Sequence, residues 1–128
     1  MKKSDSLVLM TLFILVLGFG TFIYSKVTQP GLYNAFAQCL TEKGATFYGA
    51  FWCPHCQDQK SLFGKSISEV NYVECSTPDG SSQTQECKDK DIKGYPTWIF
   101  QDNTVVDKVM SLQDLADKTG CELKKDEA

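Results

Sequence analysis

The chain contains no arginine: all thirteen of its positive charges are lysines, set against sixteen acids for a formal net charge of −3. These lysines are scattered rather than gathered into a stripe. Phosphate and base-edge recognition favour the bidentate guanidinium, so nucleic-acid binding is a poor reading. Histidine is nearly as scarce, with His55 alone. A zinc site would then rest on cysteines, but Cys53 and Cys56 are followed by single cysteines at 75 and 87 rather than by a second close pair. That spacing does not suit zinc. Haem attachment needs a histidine after the second cysteine of such a pair, and Gln57 stands there instead. No repeat or extended low-complexity tract is visible, and no metal or cofactor is expected.

Cysteine is abundant by contrast. Six in 128 residues is a high, even count, and such usage fits an oxidising compartment where disulfides persist. The alternative, a reduced chain with inert buried thiols, conflicts with the N-terminus. Leu7 to Tyr24 carries no charge, and eighteen helical residues span about 27 Å, close to a bilayer's hydrocarbon core. Lys2 and Lys3 precede the run and Lys26 follows it. The positive-inside rule therefore favours an inside N-terminus and an outside domain, whether periplasmic, lumenal or extracellular. A cleavable signal peptide is the competing reading. The run exceeds the usual apolar region of one, and no Ala-x-Ala site follows, although Gly18-Phe19-Gly20 offers a small-x-small substitute. The expected division is a membrane anchor or signal segment over residues 1–27 and one domain over 28–128.

Thr28 to Gly31 reads as a linker punctuated by Pro30 and Gly31. Leu32, Ala35, Phe36, Cys39 and Leu40 recur at helical spacing, with Gly44 ending that helix. Ala45 to Phe51 has strand length and composition. A second helix opens at Pro54, where a missing N–H costs nothing, and Leu62, Phe63 and Ile67 give it an apolar side, with Gly64 a point of weakness. Val70 to Cys75 is the next strand. Ser76 to Asp91 is a long polar loop with room for one helical turn near Gln85 to Lys90, and a loop of that length needs a staple or a function. Thr97 to Phe100 and Thr104 to Val106 form a hairpin turned by Asp102-Asn103. Ser111 caps a last helix that Gly120 ends. Two strands flanking the cysteine-bearing helix imply a parallel βαβ unit, and the closing hairpin adds antiparallel strands. The expected fold is α/β: a mixed four-stranded sheet with helices on both faces.

Trp52-Cys53-Pro54-His55-Cys56 lies at the strand-to-helix turn. Two cysteines separated by two residues at a helix start have unequal surroundings. Cys53 sits at the terminus, where unpaired N–H groups and the helix dipole favour a thiolate. Cys56 is one turn further in and shielded. Cys53 is thus the candidate nucleophile and Cys56 the resolving thiol. His55 is positioned to add charge or a hydrogen bond beside Cys53, and a stabilised thiolate makes the disulfide more oxidising. Trp52, Tyr95 and Pro96 make a candidate apolar patch for an extended substrate, with Tyr95 offering its backbone if the bond to Pro96 is cis. Trp52 has an alternative reading as core, and Pro96 as an ordinary trans proline at a strand start.

Phe51 to Cys56 resembles a thioredoxin-family active site, and its Pro-His dipeptide is that of the periplasmic disulfide-forming oxidant. Tyr48 to Lys60, Tyr72 to Cys75 and Gly94 to Trp98 together resemble the thioredoxin-like domain fused to bacterial and plant homologues of vitamin K epoxide reductase. The resemblance implies a thioredoxin-like fold and a cis Pro96 facing the active site. It also implies a Cys53–Cys56 pair that takes electrons from reduced, exported client proteins and is reoxidised by a quinone-reducing membrane enzyme. One hydrophobic segment stands here in place of a multi-helix bundle, so the reoxidant is expected to be a separate protein. Thioredoxins proper also carry a buried acid six residues before the first cysteine. Phe47 occupies that place, which speaks against thioredoxin-like reductase action.

The other four cysteines allow three connectivities. Cys75–Cys87 with Cys39–Cys121 is favoured, since the first staples the polar loop. By the chain-entropy model the two bridges stabilise by at most about 3 and about 4.5 kcal/mol. A rival role for Cys75–Cys87 is electron relay. The expected activity is protein thiol–disulfide exchange in the oxidising direction. A reductase or isomerase is the alternative within the fold, and a non-catalytic module holding unfolded chains on the Trp52/Tyr95 patch is the alternative outside it.

Overall fold

The computed structural model describes residues 3–27 and 31–127. Lys2 and the linker residues Thr28 to Pro30 lie outside that description. The described chain forms two compact units divided at Gly31.

The first unit is helix α1, Lys3–Val27. Its apolar stretch Asp5–Ser25, 21 residues, is long and apolar enough to cross a membrane, as an anchor or a signal sequence would be. Three of its hydroxyls, on Thr11, Thr21 and Ser25, each donate to the carbonyl three residues back. The two threonine hydroxyls within the apolar stretch are thus paired inside the helix, as a span in hydrocarbon would require.

The second unit is α/β. Its elements run α2 (Asn34–Glu42), β1 (Thr46–Gly49), α3 (Pro54–Phe63), β2 (Tyr72–Glu74), α4 (Gln85–Asp89), β3 (Thr97–Ile99), β4 (Val105–Val106) and α5 (Leu112–Thr119). The sheet order is β2-β1-β3-β4. β1 pairs parallel with β2 through Phe47 opposite Tyr72, and antiparallel with β3 through Phe47 opposite Trp98. β3 and β4 close the edge as the hairpin turned by Asp102-Asn103, with Asn103 left-handed at φ 61°.

Side chains alternate along a strand, and β1 uses both faces. Phe47 packs in the larger core, against Trp98 at 5.1 Å between ring centroids, with Phe36, Phe63 and Leu115 in the same cluster. Tyr48 enters a second cluster with Cys75, Cys87 and Ile92 on the opposite face. The Ser111 cap and its reciprocal bond with Asp114 start α5, and left-handed Gly120 (φ 75°) ends it.

Four local expectations are corrected. Leu32 and Ala35 are not on the buried face of α2. The helix begins only at Asn34, and Phe36, Ala37 and Leu40 form its inner stripe. The helix from Pro54 does not continue to Ile67: Gly64 takes φ 56° and a 3₁₀ turn, Gly64–Glu69, follows. Leu62 on α3 is 40% exposed, because the buried stripe is Cys56, Gln59 and Phe63. The strands are also shorter than their apolar runs, and Phe51 lies in the exposed turn beyond β1.

Gln59 is the least expected member of the core. It is fully buried, and its Oε1 accepts from the Trp98 indole (3.1 Å) and the Met110 amide (2.8 Å), while its Nε2 donates to the Met110 carbonyl (3.0 Å). One side chain therefore ties α3 to β3 and to the segment before α5. Gln59→Leu keeps the volume but strands three buried polar groups, each costing about 1–3 kcal/mol. The expected loss is about 3 kcal/mol or more, read as a lower urea midpoint at constant m-value. An unchanged midpoint would show that the network contributes nothing net.

Candidate active site

Cys53 is the residue that begins α3. Its backbone is extended (φ −82°, ψ 118°), and its sulfur accepts a hydrogen bond from the Cys56 amide at 3.2 Å. The sulfur thus occupies the place of a capping oxygen, on an otherwise unpaired N–H at the positive end of the helix. Pro54 fits the first helical position, as its ring demands. Both cysteines are unbridged. Cys53 keeps 4% exposure, framed by exposed Trp52, Pro54 and His55, whereas Cys56 has none. Burial, and then the hydrogen bond with Cys53, pushes the Cys56 thiol up to about 12.

Gly49 lets Cys56 sit there. A Cβ on Gly49 would lie 3.1 Å from the Cys56 sulfur and 3.0 Å from the Tyr72 ring, so the bare last residue of β1 is what makes room for the Cys56 thiol.

The second wall is the Tyr95–Pro96 segment, whose peptide bond is cis. The Cys53 thiol lies 3.7 Å from the Tyr95 carbonyl, to which it donates. Pro96 is buried. Trp52 is not core: it is 53% exposed, stacks edge-on against Tyr95 (centroids 5.9 Å apart, planes at 79°) and donates from its indole to Ser76 Oγ at 2.9 Å. The structure thus brings Trp52, Cys53, Cys56, Tyr95 and Pro96 together. It does not bring His55 onto a sulfur. The imidazole Nδ1 faces Asp58 at 3.5 Å, both side chains in solvent, because residues three apart on a helix share a face.

The four remaining cysteines form Cys39–Cys121 and Cys75–Cys87. Cys75 and Cys87 are both fully buried. The loop they close nevertheless touches the site. Gln83 donates to the Tyr95 hydroxyl (2.8 Å) and to the Ile92 carbonyl (2.9 Å), and Ser76 holds Trp52. Sequence reasoning missed Gln83, Ser76 and a group beside Cys56: Tyr72, whose hydroxyl donates to Glu74 at 2.8 Å, and Lys60, whose ammonium stands 3.9 Å above the Tyr72 ring. Alternation along Tyr72-Val73-Glu74 was the available signal, since it sends residues 72 and 74 to one face.

A sheet of this order, with a cysteine pair at the first turn of the helix after its central strand and a cis proline opposite, defines the thioredoxin class. The thioredoxin family model matches residues 34–119, and the chain belongs to that family. It is also similar to the thiol-disulfide oxidoreductase LTO1 of Arabidopsis thaliana, 44% identical over 94 residues, 70% of this chain. Those residues make up 24% of that longer protein.

The two thiols should label in strict order. With iodoacetamide between pH 7 and 9, Cys53 is expected to react and Cys56 to stay unmodified, located by peptide mass spectrometry; equal rates would overturn the assignment. The Cys56 value also has a stability consequence. Its folded pKa lies above the ordinary 9.0, so the folded state holds this proton more tightly. The reduced domain should lose stability as pH rises from about 9 towards about 12. Cys56→Ala should flatten that loss.

Proposed function

We propose that this chain is a protein thiol–disulfide oxidoreductase, held at a membrane by α1 with its domain outside the cytoplasm, that oxidises thiols of exported proteins through Cys53 and Cys56. The observation that carries this reading is the Cys53 sulfur capping α3 beneath exposed Trp52, Pro54 and His55, next to the fully buried Cys56 thiol. The name of the Arabidopsis relative supports the reaction class.

A client thiolate attacks Cys53 Sγ of the disulfide form. The Cys53–Cys56 bond breaks, and its electron pair stays on Cys56, which takes up a proton. A second client thiolate then attacks the client sulfur of the mixed disulfide. Cys53 leaves as a thiolate, stabilised by the helix terminus and the Cys56 amide. The client has lost two electrons and the pair has gained them.

Return of the pair to the disulfide requires an electron acceptor. The likeness of Tyr48–Lys60, Tyr72–Cys75 and Gly94–Trp98 to the domain fused to vitamin K epoxide reductase homologues supports a quinone-reducing membrane enzyme of that type in this role. Phe47 in the place of the thioredoxin acid favours the oxidising direction. Trp52 and Tyr95 form the client-facing patch, and the Tyr95 backbone lines the path of an extended chain to Cys53.

Cys56→Ala removes the internal resolving thiol and keeps the cap. In intact membranes this variant should accumulate reductant-sensitive, high-mass adducts that vanish when Cys53→Ser is added. A folded, anchored Cys56→Ala protein without adducts would defeat the oxidoreductase reading. Equilibration with glutathione gives the direction: near about −120 mV marks an oxidant and near about −270 mV a reductant.

His55→Ala should make the disulfide less oxidising in the same assay, because it removes the polar ring next to Cys53 at the helix start. An unchanged potential would show that the helix terminus and the Cys56 amide alone set the poise.

A further inference from the structure

Whenever a partner is joined to Cys53, the pair re-forms its disulfide only if Cys56 loses its proton. That thiol is fully buried, and its burial opposes the charge it must acquire. The residue that would answer this need in a thioredoxin is replaced by Phe47, whose ring is packed between Trp98 (5.1 Å) and Tyr72 (5.0 Å). Phe47 therefore neither carries a proton nor leaves room for one of its neighbours to swing into its place.

The neighbouring strand supplies a different group on the same face. Tyr72 lies opposite Phe47 and Glu74 opposite Gly49. The Tyr72 hydroxyl and the Cys56 sulfur flank the same bare glycine, at 3.3 and 3.1 Å from the point a Gly49 Cβ would occupy. The hydroxyl donates to Glu74 Oε2 at 2.8 Å. Glu74 is itself held by two amides, with its Oε1 accepting from Phe51 (3.2 Å) and Ser76 (2.9 Å). From α3, Lys60 stands over the Tyr72 ring at 3.9 Å and favours the Cys56 thiolate electrostatically. Cys53, Cys56, Lys60, Tyr72 and Glu74 are the titratable groups described around this spot, and from β1 the face presents Phe47 and Gly49, which do not titrate.

We propose that Glu74, acting through the Tyr72 hydroxyl, accepts the Cys56 proton as Cys56 attacks a mixed disulfide at Cys53. The inference rests on the oxidoreductase reading above and assigns positioning and proton-transfer roles within it. The Cys56 proton passes to Tyr72 Oη as the Tyr72 proton passes to Glu74 Oε2. The Cys56 sulfur bonds to the Cys53 sulfur, and the bond from Cys53 to the partner sulfur breaks. The partner leaves with the electron pair as a thiolate, and Glu74 is left as the acid, returning its proton to solvent. No oxidant beyond the partner disulfide is consumed.

The test isolates this one step. The full chain in detergent micelles is loaded at acid pH with 2-nitro-5-thiobenzoate on Cys53, and release of the coloured thiolate is followed after a pH jump. Wild type should release it with a rate nearly flat through neutral pH. Glu74→Gln and Tyr72→Phe should slow release by about tenfold or more at pH 7. Their rates should also climb about tenfold per pH unit, since hydroxide must then take the proton. Glu74→Asp should recover part of the rate. Loading of Cys53 should stay within about twofold of wild type in all three.

Wild-type rates and a flat profile in both Glu74→Gln and Tyr72→Phe would overturn the inference. Equal slowing of loading and release would overturn it as well, and would show that Glu74 only braces the Phe51 and Ser76 amides. Failure of the wild type itself to release the thiolate would instead sink the oxidoreductase reading.

Discussion

At the first turn of α3 a sulfur takes the place that a serine or aspartate oxygen holds in an ordinary helix cap. The Cys56 amide, one of four N–H groups that every helix leaves unpaired at its start, donates to Cys53. The same contact that satisfies the backbone holds the Cys53 sulfur at the positive end of the helix. It also fixes the spacing. An amide three positions into the helix belongs to Cys56, so the capping sulfur and the resolving sulfur are bound to be neighbours. Gly49 beneath them and the Tyr95 carbonyl beside them then decide how deep the second thiol sinks and what the first one faces.

The central strand serves this arrangement from both sides. Its inner face, through Phe47 and Gly49, meets α3 and the aromatic core. Its other face, through Tyr48, meets the Cys75–Cys87 bridge and Ile92. The bridge is buried, yet its loop sets the site's outer surface through Gln83 on Tyr95 and Ser76 on Trp52. The staple and the Trp52/Tyr95 patch are thus one structure, a coupling that a small domain gains from cross-linking.

Rigid support comes from the far end of α3. Gln59 bonds to Trp98 and to both backbone groups of Met110, so the helix that carries both thiols is tied to the sheet by a buried polar network with every partner present. Such a network is costly when incomplete and specific when complete. Two of its three bonds go to the Met110 backbone and the third to the Trp98 side chain on β3, so α3 is held to both the sheet and the segment before α5.

Much of this was legible in the residues alone. The order of elements, the parallel βαβ unit, the closing hairpin and the capped last helix follow from periodicity, turn residues and caps, which act over a few positions. The unequal cysteines follow from a Cys-x-x-Cys placed at a helix start, and the membrane-length helix follows from an uncharged run. What only the tertiary structure decided depends on neighbours distant in the chain. Gln57 and Gln59 read alike in Gln57-Asp58-Gln59-Lys60, and only the rotation of α3 against Trp98 buries one and exposes the other. Leu32 and Leu62 are apolar yet exposed, because the start of α2 and the stop at Gly64 shift the buried stripes past them. His55 was expected beside a sulfur and faces Asp58, since its direction is set by the helix surface. The Tyr72–Glu74–Lys60 cluster exists because parallel pairing of β1 with β2 sets Tyr72 and Glu74 opposite Phe47 and Gly49, on the face that α3 covers. Strand register and helix rotation are set by the packing of whole surfaces, and no local stretch of sequence encodes them.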